Sequence, residues 1–226
     1  PRVVREPKQR GVIIQGIFRS NYVIFGVSLV TNVFGAEEAA AASILSAVLV
    51  PMYNVLAVIA LTVFTGGGKV SLKKTLKSIA TNPLIIAALL GVFASIIKLR
   101  FPAFLETSLR DVSRLATPLA LIVLGGDFSF RKLKGNMRIA GVTVFIKLVV
   151  IPLVFLPIAV LAGSRGPSLL ALALAWETPV AVSSYIMAQQ AGADGELAGQ
   201  LVVLSAVCCI PTVFLMIFIL QSMALL

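Results

Sequence analysis

The sequence predicts an all-α, polytopic membrane protein of about seven transmembrane helices. Three observations predict it. Hydrophobic residues make up 59% of the 226 and charged residues only 12%, about half the charged share of a soluble domain. The charges are missing from long stretches, and those stretches reach the roughly 20 apolar residues that a helix needs to cross a bilayer. The basic residues lie in short clusters between the apolar runs, the arrangement that orients helices in a membrane.

The expected spans are A (about 12–34), B (39–64), C (79–97), D (115–130), E (139–162), F (168–190) and G (197–224). Each should be helical, because backbone polar groups in lipid must be bonded internally. The runs are too long and too continuously apolar for the alternating strands of a barrel. Arg2, Arg5, Lys8 and Arg10 precede span A, whereas the A–B loop holds only Glu37 and Glu38. Lys69, Lys73, Lys74 and Lys77 follow span B, and Arg131, Lys132, Lys134 and Arg138 follow span D. These basic loops are expected in the cytoplasm and the C-terminus outside. Lys98, Arg100, Arg110 and Arg114 run against that count. Their segment is expected to lie on the membrane surface, with Phe101, Phe104, Leu105 and Leu109 as its apolar face. Asp127 is expected at a cytoplasmic helix end. Gly66-Gly67-Gly68 opens the B–C segment as a flexible linker, without the Lys-Ser/Thr of a phosphate loop.

Several functions are excluded at this stage. The net charge of +10 does not indicate nucleic acid, since no aromatic residues interleave with the basic clusters. The chain has no histidine, no clustered acids and no nucleophile–base pair, so neither an enzyme nor a cofactor or metal site is expected. Cys208 and Cys209 are adjacent in an apolar run, which suits neither a disulfide framework nor a spaced metal site. The basic start at Pro1 lacks a signal-peptide pattern and predicts a fragment of a longer protein.

An internal repeat is visible. Glu37 precedes Leu45-Ser46-Ala47-Val48 and Pro51, and Glu196 precedes Leu204-Ser205-Ala206-Val207 and Pro211. Both stretches follow a Gly-Ala pair, Gly35-Ala36 and Gly192-Ala193. Spans A–B thus match spans F–G with opposite topology, an inverted repeat of the kind found in secondary transporters.

Spans A and F are the most polar. Span A holds Gln15, Ser20, Asn21, Gly26, Ser28 and Asn32, and span F holds Glu177, Thr178, Pro179, Ser183, Ser184 and Gln190. Pro179 removes a helix hydrogen bond and clashes with the preceding turn. Two interrupted helices facing each other would offer half-helix ends to a solute, and N-terminal ends attract anions. The same small and polar residues also suit close helix packing. Arg19, Lys147 and Glu177 are the ionisable residues at membrane depth, where a charge is costly and points to function. Arg19 lies near enough to the membrane surface to snorkel. Lys147 lies about 12 Å beyond Arg138 along a helix, too deep to do so. A Lys147–Glu177 pair is expected, or else attraction of an anion by Lys147. Asn54 is expected to bond a neighbouring helix or a freed carbonyl, and Pro152 and Pro157 to kink span E.

In these motifs the chain resembles the auxin efflux carrier family of membrane transport proteins. The matching stretches are Phe18-Arg19-Ser20-Asn21 through Gly26, Val50-Pro51-Met52-Tyr53-Asn54, Asn82-Pro83-Leu84, Ala116-Thr117-Pro118-Leu119 with Gly125, and Glu177-Thr178-Pro179-Val180-Ala181 with Ala188. The resemblance covers nearly the whole chain, and more specifically its bacterial malate- and malonate-permease-like branch. It implies a fold of ten helices in two inverted five-helix repeats, similar to sodium–proton antiporters, with spans A–G as helices four to ten. Residues 1–65 would close the first repeat, 66–78 would be the cytoplasmic linker, and 79–226 would form the second repeat. The resemblance implies a substrate site of Asn21, Gly26, Thr178, Pro179 and Ser183 at the crossing; Ser20, Glu177 and Lys147 are added to the expected site on their polarity and charge at membrane depth. Plant members place proline at each crossing, but span A has none, so auxin itself is not the expected substrate.

The expected function is a multi-pass permease of the bacterial inner membrane that carries a small organic anion by alternating access. A coupling proton or sodium ion and a homodimer are further expectations. A sodium-coupled bile-acid-type symporter and a solute sensor without flux are the alternatives, separated by sodium dependence and by tight binding without transport. Full-length protein carrying Asn21→Ala or Pro179→Ala should insert normally but lose most of its flux in vesicles. Flux at the wild-type rate from either variant would refute this site.

Overall fold

A computed structural model describes residues 4, 6–65, 72–127 and 130–226. The described secondary structure is helical throughout. The chain enters on α1 (Pro7–Phe18), with proline in its first turn, where a missing N–H costs nothing. α1 stops at Arg19, and a wide, π-type turn (Tyr22–Val27) runs on into α2 (Ser28–Phe34). α3 (Ala40–Thr65) returns in the opposite direction. α4 (Leu72–Ala80), α5 (Pro83–Ile96) and α6 (Ala103–Asp127) follow at the periphery. α7 (Phe130–Phe145) passes through a second wide turn (Ile146–Val150) into α8 (Ile151–Leu161). α9 (Gly166–Glu177) and α10 (Ser183–Gln190) are two halves of one interrupted passage, and α11 (Gly195–Ser222) closes the bundle.

Among the described residues four stretches are long and apolar enough to cross a membrane: Pro7–Phe34, Ala40–Thr65, Asn136–Leu161 and Gly195–Ser222. α11 has 28 residues, about 42 Å at 1.5 Å per residue, more than the roughly 30 Å of hydrocarbon. These four coincide with spans A, B, E and G. Span F is helical in two short halves. Span C shrinks to α5, of 14 residues. Span D joins the segment expected on the membrane surface, so that α6 begins at Ala103 and carries the ion pairs Arg110–Glu106 (2.9 Å) and Arg114–Asp111 (3.8 Å) in its first half. Gly66-Gly67-Gly68 and Lys69 lie outside the described residues, while most of the remaining linker, 72–78, is helical in α4.

Polarity is distributed inside out. Leu161 is 87% exposed, Phe214 72% and Phe104 69%, whereas Gln15, Lys147 and Thr178 are fully buried. Water would not tolerate that surface, but hydrocarbon solvates it. Prolines inside helices fit the same solvent. Pro51, Pro118, Pro157 and Pro211 sit within α3, α6, α8 and α11, and neighbouring hydroxyls or local adjustments can serve the carbonyls they free. Pro152 cannot bond Leu148, four residues back, and the wide turn Ile146–Val150 lies where that strain falls.

At one end of the bundle lie the start of α1, the end of α3 and the start of α11. Asp194 caps α11 by accepting from the Leu197 N–H (2.9 Å), and also accepts from Gln9 Nε2 (3.0 Å). At the other end, the Gly166 N–H donates to the Leu225 carbonyl (2.8 Å). The α1–α2 and α9–α10 passages therefore run antiparallel. Each ends on a glycine with positive φ, Gly35 (93°) and Gly192 (67°), a conformation that L side chains rarely adopt.

With lipid outside, packing rests on close approach of helices. A Cβ on Gly11 would stand 2.9 Å from the Ala60 carbonyl oxygen and 3.2 Å from Leu61 Cα, both backbone atoms of α3. A Cβ on Gly16 would meet Leu201 Cδ1 at 2.8 Å, the flexible end of a side chain. Gly11→Ala should therefore cost about 1–3 kcal/mol through overpacking, and Gly16→Ala less. Thermal unfolding in detergent that ranks the two variants in the reverse order would contradict this packing.

Candidate functional site

The two interruptions meet. Arg19 leaves the helix in an extended conformation (φ −80°, ψ 122°), and so does Thr178 (φ −70°, ψ 155°). Thr178 is extended because the following proline ring disfavours the helical conformation. The first break has no proline, and Asn21 holds it open by turning its N–H away from its own helix. That N–H donates to the Pro179 carbonyl at 2.8 Å. Asn21 then closes the next turn by accepting from the Phe25 N–H at 3.1 Å. On the second break, the Val180 N–H donates to Ser205 Oγ of α11 (2.9 Å), and α10 restarts with Ser184 N–H to Ala181 O (2.9 Å).

Three consecutive residues of the first break thus bind three different neighbours. Asn21 holds the second break. Ser20 Oγ accepts from Lys147 Nζ at 2.7 Å. Arg19 donates through Nη2 to Asn54 Oδ1 (2.7 Å) on α3 and Ser183 Oγ (2.8 Å) on α10, and through Nη1 to Met187 Sδ (2.6 Å). Arg19 is 4% exposed, so its expected snorkelling to the surface does not occur. Lys147 sits in the wide turn of the α7–α8 passage, fully buried, and its second acceptor is the Trp176 carbonyl at 3.5 Å. No ion pair joins Lys147 to Glu177, and among the described residues neither Lys147 nor Arg19 has a carboxylate within ion-pair distance. Two basic side chains therefore stand at the crossing: Lys147 approaches the Trp176 carbonyl at the end of α9, where the macrodipole favours positive charge, and Arg19 reaches Ser183 at the start of α10.

Unmet hydrogen-bonding capacity gathers at the same place. Gln15 Oε1, Tyr22 OH, Glu177 Oε2, Thr178 Oγ1 and Ser184 Oγ are buried without a protein partner. Native interiors leave few such atoms; among the described residues a sixth, Gln200 Oε1, lies on α11 away from the breaks, and the other five lie within a few residues of one. Gln15 reaches across by donating to the Ser184 carbonyl (3.0 Å), and Tyr53 OH donates to the Ala175 carbonyl (3.0 Å).

Of the residues singled out from sequence, Ser20, Asn21, Glu177, Thr178, Pro179 and Lys147 converge on the crossing, and Ser183 joins them through Arg19. Gly26 lies apart, inside the wide turn, where the Tyr22 ring covers the space a side chain would need. Sequence reasoning did not place Arg19, Asn54 or Met187 in the site. Two signals were available: an arginine directly before Ser20-Asn21 with no acid in its span, and an amide in the middle of span B. Asn54 serves the arginine that caps the neighbouring α1, the first of its two expected roles.

A cleft of about 400 Å³ opens beside the crossing. It lies between the end of α3 (Leu61, Thr62), the α4–α5 turn (Thr81, Asn82) and the end of α10 (Met187, Gln190), and among the described residues that line it none is charged.

If the arginine clamp holds these elements, Arg19 and Asn54 are coupled. Arg19→Met and Asn54→Leu should each destabilise by about 1–3 kcal/mol. The double variant should fall short of their sum by about 0.5–3 kcal/mol. Strict additivity in a thermal-unfolding double-mutant cycle would show that the clamp does not hold.

The family profile described as "Membrane transport protein" matches residues 68–217. A protein of Rhizobium meliloti (strain 1021), provisionally named a malonate transporter, is 27% identical over 150 residues. The match covers 66% of this chain and 47% of that protein, so the chain spans about half the length of this curated relative. No solved structure matches the chain.

Proposed function

Since the chain belongs to the membrane transport protein family, the auxin efflux carrier group that its motifs resemble, we propose that it forms the substrate-binding part of a permease for a small organic anion. One observation carries the reading: two interrupted, antiparallel helices join by the Asn21–Pro179 hydrogen bond beside two buried cations without ion-pair partners. Lone buried cations are costly unless compensated, and a carboxylate guest would compensate them. The unpartnered polar atoms of Thr178 and Ser184 offer hydroxyls to the same guest. Ser20, Asn21, Thr178, Pro179 and Ser183 line this proposed site, with Arg19 and Lys147 supplying the charge. Glu177 is the acidic member, and Gly26 gives Tyr22 room to pack behind them.

The finer reading is an inverted repeat worked by alternating access. Arg19 and Thr178, which end α1 and α9, stand as far apart in the chain as Glu37 and Glu196, and as Ser46 and Ser205. Residues 1–65 then close one repeat and 79–226 form the other, within a fold of seven spans preceded by further helices. The basic loops favour a reading in which the cleft opens to the cytoplasmic side of a bacterial inner membrane, as an inward access route. A proton or sodium ion as the coupling partner, and a homodimer, complete the proposal. The 47% coverage of the malonate-transporter relative makes malonate the first substrate to test.

Full-length protein in proteoliposomes, offered labelled malonate, malate, acetate and a neutral ester of malonate, should take up at least one of the acids saturably and leave the ester outside. Arg19→Gln should reduce that uptake by about tenfold or more, the loss expected for one charged hydrogen bond. Uptake of the ester alone, or of none of the four, would overturn the reading.

A further inference from the structure

Resting on that reading, we propose that Met187 is a stand-in ligand for Arg19, displaced when a substrate carboxylate enters from the cleft. The argument starts from the donors of Arg19. Nη2 is committed to two oxygen acceptors, Asn54 Oδ1 and Ser183 Oγ. Nη1 faces the sulfur of Met187. A thioether is a weak acceptor, an unusual partner for a buried guanidinium that has no carboxylate within reach. A carboxylate in its place would form a charge-assisted bond, roughly twice as strong as a neutral one.

Position supports the exchange. Met187 lines the cleft, so the weakest of the guanidinium's bonds is the one that faces the access route. Behind it, Asn54 and Ser183 hold the guanidinium plane fixed while its free edge changes partners. Methionine suits the task, because its three rotatable bonds let it leave without moving α10. The polar side chains lining the cleft, Thr62, Thr65, Ser78 and Thr81, offer hydrogen bonds to an anion on its way. Met187 thereby sets a threshold: only a guest that bonds Arg19 better than sulfur reaches the crossing.

Two nearly isosteric substitutions move the threshold in opposite directions. Met187→Leu removes the competing acceptor, and Met187→Gln supplies a stronger one. Malonate binding to the purified full-length protein, measured by calorimetry, should tighten about three- to tenfold in Met187→Leu and weaken about three- to tenfold in Met187→Gln, the span of one exchanged hydrogen bond. Should the leucine variant fail to fold, Met187→Ala replaces it with the same expected sign. Shifts in the same direction, or none, in a protein whose wild type binds malonate would overturn this inference alone. A wild type that binds no carboxylate would overturn both it and the reading on which it rests.

Discussion

A helix that stops in the middle of a membrane leaves peptide groups that lipid cannot satisfy. That constraint governs this molecule. Each orphaned N–H or C=O costs several kcal/mol in hydrocarbon, so an interruption persists only where another part of the protein completes it. Here the Pro179 carbonyl and the Asn21 N–H complete each other at 2.8 Å. The two breaks are mutually dependent: neither supplies both the donor and the acceptor. This fixes where α1–α2 and α9–α10 cross, and the other helices arrange themselves around that point.

The buried charges follow from the same crossing. The end of each broken helix presents carbonyls with partial negative charge. Arg19 stands at the end of α1 and Lys147 approaches the Trp176 carbonyl at the end of α9. Lys147 thus serves a carbonyl end, while Arg19 turns to Asn54, Ser183 and Met187.

Packing is correspondingly uneven. Toward the end of the bundle, α1 lies so close to α3 that Gly11 has no room for a methyl group. Ser205, Tyr53 and Asn54 reach in from α11 and α3 to satisfy groups at the breaks. Farther out, α5 and α6 expose Leu89, Phe93, Phe104 and Ile122 by 60% or more. The two serines that match in sequence, Ser46 and Ser205, show the same difference in role. Ser205 accepts from the Val180 N–H of the second break, while Ser46 only donates to the Ser43 carbonyl of its own helix.

Composition, span length and charge clusters determined from the sequence alone that the chain is helical and made for lipid, because those properties depend only on the number and order of apolar residues. Pro179 likewise announced its own break, since proline acts on the turn that contains it. The first break was only half legible. Nothing in Arg19-Ser20-Asn21 forbids a helix, and the chain leaves it there because the Pro179 carbonyl, some 160 residues away, takes the Asn21 N–H. The partners of Lys147 and Arg19 were equally hidden. A lysine near a glutamate in a helical reading suggests an ion pair, yet the wide turn at Ile146–Val150 carries Lys147 to Ser20 instead. Which polar atoms meet at membrane depth depends on how five passages cross, and that is a property of their packing in space.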